Sequence, residues 1–209
     1  MNARWQDTPA TKLLRLLADL MIVNLLLLIC SFGIVTIGAA LTAMYTVLFR
    51  RERDEGTVNV TKTFFKAFVQ NFWKATVLEL VLVVLLLIAG VDFWYAAAIP
   101  QPGKTVFIVV AVVIAFLAVV VFLMAFPQQA VYRNSVRNYL KNSFVLTFCA
   151  PIPLLLSAAA WAAPWVLAAI EPEVFIRFGV LYLLWGFALP AYATVRLLHP
   201  VFQKTKQDT

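Results

Sequence analysis

Blocks of Leu, Val, Ala, Ile and Phe, each long enough to cross a hydrocarbon layer, constrain this chain more than any other feature. A helix needs roughly 20 apolar residues to span a bilayer core about 30 Å thick. Residues 75–97 and 105–126 meet that length, the second with no charged residue at all. Backbone polar groups in lipid must be satisfied within the protein, so such blocks predict transmembrane helices. No alternating strand pattern of roughly ten residues competes with them, which argues against a barrel. With 63% hydrophobic and 13% charged residues, the chain cannot present a water-soluble surface.

The expected fold class is all-α: a polytopic transmembrane helical bundle forming one integral membrane domain over residues 1–209. Six spans are expected, at about 13–31, 34–50, 75–97, 105–127, 144–169 and 174–198, paired as three hairpins. The apolar block 13–49 is too long for one span, and Ser31, Phe32 and Gly33, followed by Thr36 and Gly38, mark its break. If the turn at residues 32–37 were out of reach from outside, that hairpin would be re-entrant and four full spans would remain. Trp73 and Trp94 stand 21 residues apart, or about 31 Å along a helix, the separation of the two interfacial aromatic belts. Residues 99–103 (IPQPG) form a turn. Pro127 is expected to end the fourth span, Pro151, Pro153 and Pro164 to kink the fifth, and Gly186 and Pro190 to interrupt the last.

Two amphipathic segments lie between these hairpins. In residues 61–74, Phe64, Phe68 and Phe72 recur every four positions beside a stripe of Lys62, Lys66, Gln70 and Lys74. That helix either lies on the membrane surface or extends the following span. In residues 132–144, Arg133, Arg137 and Lys141 form a basic stripe beside Asn134, Asn138 and Asn142. Either segment suits a solvated cytoplasmic face, and Arg133, Arg137, Lys141, Asn134, Asn138, Lys62 and Lys66 together make a candidate partner-docking face.

Orientation follows from the cations. With residues 1–15, 50–74, 128–143 and 196–209 inside, all of the 17 Lys and Arg residues except Lys104 and Arg177 face the cytoplasm. This fits the positive-inside tendency, with both termini inside. The expected location is therefore a cell membrane with both termini on its cytoplasmic side. The net charge of +7 is accounted for by cytoplasmic loops facing anionic lipid, with membrane lipids as partners and no nucleic acid.

Ionisable groups within spans are the default functional candidates. Asp19 can pair with Arg15 one turn before it, Glu79 lies near the inner end of its span, and Asp92 near the outer end, so a structural role is expected for each. Asn24 falls mid-span, where its amide suits an interhelical bond. With Thr42, Thr46 and Glu79 it makes the set of polar intramembrane positions. Trp185, also mid-span, is expected to pack in the core. Cys30 and Cys149 are too few for a disulfide framework and are expected to be small buried apolar residues. No phosphate-cradling glycine loop and no His-Glu-x-x-His pair occurs, and the one histidine, His199, has no ligand set around it in sequence. No enzyme activity, metal or other cofactor is expected.

Residues 17–26 (LADLMIVNLL), 31–40 (SFGIVTIGAA) and 42–45 (TAMY) resemble the opening of the YesL-like bacterial membrane proteins, domain of unknown function 624. Residues 65–68 (FKAF), 71–74 (NFWK) and 132–144 fit the same family, while Gly33 and Ala39 stand where prolines are common in it. Members tend to be encoded beside carbohydrate importers of the ABC type. The resemblance implies an accessory or regulatory subunit whose partners are ABC permease subunits. The competing expectation is an independent small transporter or channel lined by Asn24, the 36–46 face and the proline-broken fifth span.

Overall fold

In a chain whose surroundings are apolar, the residues with the most to gain from burial are the polar ones. The computed structural model, which describes residues 8–54 and 58–207, follows that rule. Asn24, Thr42, Glu79, Gln128, Gln129 and Ser143 are buried, whereas Leu80, Leu87, Val91, Ile152 and Leu155 are exposed. The described residues are helical, with no strand among them. Five helices are long and apolar enough to cross a membrane, and six if a bent pair near the C-terminus is one span. This is the expected helical membrane bundle. Arg4, Glu55 and Gly56 lie outside the described residues.

α1 (Pro9–Cys30) opens on a Thr8 cap with Pro9 in the first turn. A short 3-10 turn at Ile34–Thr36 then leads into α2 (Ile37–Asp54). α2 is the axis of the molecule, since 61% of its span is buried. Ala39, Ala40 and Ala43 are fully covered there, small enough to let other helices approach.

α3 (Val60–Ala98) is one continuous helix of 39 residues, about 58 Å long. Its start is set by Asn59, whose side chain accepts the Lys62 N–H at 3.0 Å. Residues 61–74 therefore extend the span rather than forming a separate surface helix. Trp73 and Trp94 are 78% and 75% exposed, outward-facing as belt residues should be.

α4 (Gly103–Val120) passes through a π-helical turn, Val121–Ala125, into α5 (Phe126–Val131). The expected stop at Pro127 is corrected here. Pro127 lacks an N–H, and the widened turn just before it absorbs the lost bond, so the helix runs on to Val131. The 132–144 segment also differs from expectation, because residues 132–135 lie outside any helix, with Tyr132 and Ser135 in extended backbone, and α6 (Val136–Cys149) begins only at a Ser135 cap.

The fifth span is broken at Ala150, and α7 (Pro151–Ile170) starts anew with proline in its first turn. α8 (Pro172–Arg177), α9 (Gly179–Trp185) and α10 (Ala188–Gln207) complete the chain, with a 45° bend between the last two. Cys149 is exposed at the end of α6 and Cys30 is half-buried, correcting the expectation that both are buried.

The hairpins do not reach the same height. Gly38, at the start of α2, packs against Ala75 and Glu79 of α3, so close that an added Cβ would lie 2.7 Å from the Ala75 carbonyl oxygen. Thr76 donates to the Val35 carbonyl at the same level. From Glu79, α3 continues for 19 more residues to Ala98, about 28 Å further, before turning into α4. The α1–α2 turn therefore stops far short of the α3–α4 tip. Its own tip is apolar and bare, with Phe32 94% and Ile34 77% exposed, a surface suited to lipid rather than water.

Candidate functional site

Several polar residues inside the spans bond to the backbone of other helices. Asn24 Nδ2 donates to the Leu183 carbonyl at 2.7 Å, and its Oδ1 accepts the N–H groups of Phe187 and Ala188, both at 2.9 Å. These are groups left open where α9 ends and α10 begins, so one side chain caps both sides of the break. Trp185 Nε1 donates to the Leu17 carbonyl at 2.9 Å and fastens the same break to α1. Glu79 Oε2 accepts the Gly38 N–H at 2.9 Å, which places a carboxylate at the N-terminus of α2.

Thr42 donates to Gln129, Gln129 donates to the Asn71 carbonyl, and Thr46 bonds back to the Thr42 carbonyl. Asn24, Thr42 and Glu79 thus act as interhelical ties, and Thr46 has a local bond. Asp19 pairs with Arg51 of α2, not with Arg15. Among the described residues no three His, Cys, Asp or Glu side chains gather as a metal site would require.

At the opposite end from the α3–α4 tip lies a cleft of about 510 Å³ between α2, α3 and the α5–α6 connection. Arg50 and Arg53 enter it from α2, Lys66 and Lys74 from α3, and Arg133 from the extended connection. No Asp or Glu among the described residues lines it. Among the described residues, Arg50, Arg53, Lys66 and Arg133 have no carboxylate partner. Thr46, Gln70, Asn71 and Gln129 add neutral polar groups.

The wall that carries Arg133 is held in place. Tyr139 donates its hydroxyl to the Tyr132 carbonyl at 2.7 Å and accepts the Asn134 N–H at 2.9 Å. Lys74 Nζ donates to the Asn134 carbonyl at 2.8 Å, and Tyr132 donates to the Phe202 carbonyl at 2.8 Å. Burial pushes the Tyr132 hydroxyl above its ordinary range, against the lowering effect of Arg53, so it stays a neutral donor.

Residues 20–93 match the family model described as a protein of unknown function, DUF624. The match supports the YesL-like, DUF624 assignment to which the sequence motifs pointed. No curated protein and no solved structure matches the chain. The DUF624 match runs from α1 into α3 and contains four of the five cleft cations, Arg50, Arg53, Lys66 and Lys74; Arg133 lies beyond it.

The candidate docking face is divided by the fold. Lys66 and Arg133 meet in the cleft, whereas Lys62, Arg137, Asn138 and Lys141 are exposed outside it, and Asn134 takes part through its backbone. The sequence had not singled out Arg50, Arg53 or Lys74 for this site. Their joint signal was present only as an excess of cations across three separate stretches, and no periodicity links one stretch to another.

Proposed function

We propose that this integral membrane protein is a non-enzymatic accessory or regulatory subunit that works beside a carbohydrate ABC importer of the bacterial cytoplasmic membrane. Its termini and its basic end face the cytoplasm in this proposal. The observation that carries it is the convergence of cations from α2, α3 and the α5–α6 connection at one end of the bundle. A positive-inside orientation puts that end where a cytoplasmic partner can reach it. The importer partnership itself rests on the family resemblance.

An independent channel is less well supported, because Asn24, Thr42 and Glu79 are tied to other helices rather than left to line a path. The test is purification of the tagged chain from its native membrane in mild detergent after cross-linking. Enrichment of a permease or ATPase subunit is expected, and recovery of the chain alone sinks the importer partnership.

A further inference from the structure

We propose that the basic cleft is a binding site for a phosphate group, carried either on a lipid head group or on a small soluble ester. Three guanidinium groups, Arg50, Arg53 and Arg133, and two ammonium groups, Lys66 and Lys74, share one concavity, and among the described residues no carboxylate lines it. Like charges held together repel, and an anion among them relieves that repulsion. Guanidinium forks match the oxygen geometry of phosphate and bond it in pairs, while lysine supplies a point charge. Five cations exceed what a single carboxylate needs, so a phosphate, with more charge and more acceptor oxygens, is the better complement.

The cleft is built rather than accidental. Its three walls come from segments far apart in the chain, and the Arg133 wall is fixed by Tyr139 and Lys74 through the backbone of residues 132–134. Gln70 adds a neutral amide between the charges, while the Asn71 and Gln129 amides donate to the Ala67 and Asn71 carbonyls and brace the cleft floor. A volume of about 510 Å³ accommodates a phosphate with a small attached group. Lys74 adjoins the exposed Trp73, at the depth where an interfacial tryptophan meets lipid head groups. Both sources of phosphate therefore have access.

This inference deepens the role given above to the basic end but is measured on the purified chain alone. Loss of the importer partnership would leave it standing. The experiment titrates full-length protein in neutral detergent with glycerol 3-phosphate, with short-chain phosphatidylglycerol and with short-chain phosphatidylcholine, following thermal stability and isothermal heat. Saturable binding of glycerol 3-phosphate identifies a soluble source. Binding of phosphatidylglycerol alone identifies the lipid source.

Arg53→Gln and Arg133→Gln are each expected to weaken the bound probe by about tenfold or more. Arg137→Gln and Lys141→Gln, which remove the same charge outside the cleft, leave it within about twofold. Lys66→Gln, at an exposed position, serves as the cleft variant if an arginine variant fails to fold. No saturable binding of any probe overturns the site. Equal weakening by the outside variants overturns it as well, because binding would then reflect net charge alone.

Discussion

Asn24 is the residue whose chemistry is most completely used. One amide satisfies a carbonyl and two N–H groups at the break between α9 and α10. Its replacement by leucine conserves bulk and leaves all three without that partner. Each unsatisfied buried polar group costs about 1–3 kcal/mol, although interhelical bonds in lipid average nearer 0.6 kcal/mol. Asn24→Leu is therefore expected to lower stability by about 2–4 kcal/mol, seen as a lower melting temperature in detergent; an unchanged melting curve would refute the capping role. Gly38 is constrained by space instead, since a Cβ would meet the Ala75 carbonyl oxygen at 2.7 Å and Phe126 at 3.1 Å. Gly38→Val must push α2 from α3 and is expected to cost about 1–3 kcal/mol, the usual penalty of overpacking. The same melting assay checks it, with Gly90→Ala, which meets nothing within 4 Å and is expected not to lower the melting temperature, as the control.

Among the elements, the extended connection between α5 and α6 does most to shape the cleft. Tyr139 reaches back from α6 and satisfies two backbone groups of the connection with one hydroxyl. Tyr139→Phe keeps the ring and removes both bonds. Faster amide exchange is expected at Asn134, with weaker phosphate binding but little change in the melting temperature, because the loss is local. Unaltered exchange at Asn134 would show that the ring alone holds the connection. The sequence indicated that residues 132–144 are amphipathic but placed the helix start too early. Ser135 is a good cap by composition, yet so is Asn134, and only the bonds to Tyr139 and Lys74 decide between them.

For the molecule as a whole, the difference in hairpin height bears on how the chain sits in a bilayer. If residues 75–97 of α3 cross the membrane between Trp73 and Trp94, the level of Ala75 and Glu79 lies near the basic face. The α1–α2 turn, packed at that level, then dips its apolar tip into lipid without reaching the far side. A single cysteine at position 101, on the α3–α4 turn, should react with a membrane-impermeant maleimide applied from outside. A cysteine at position 32 should not, in a background with Cys30 and Cys149 replaced. Equal outside labelling of both would refute the difference in depth and restore a full α1–α2 span.

The sequence alone determined that this is a helical membrane bundle, where its longest apolar segments lie, and that its cations crowd the stretches between them. Those features follow from hydrophobic length and local charge, which each segment carries by itself. The tertiary structure decided what the sparse polar residues do. The sequence favoured structural roles for Asn24 and Glu79 but could not name their partners or that of Thr42, because the partner groups lie 41 to 164 residues away in the chain. The basic cleft was hidden for the same reason. Arg53, Lys66 and Arg133 belong to three segments whose approach depends on Gly38 and the buried alanines of α2, and no local pattern records which helices will touch.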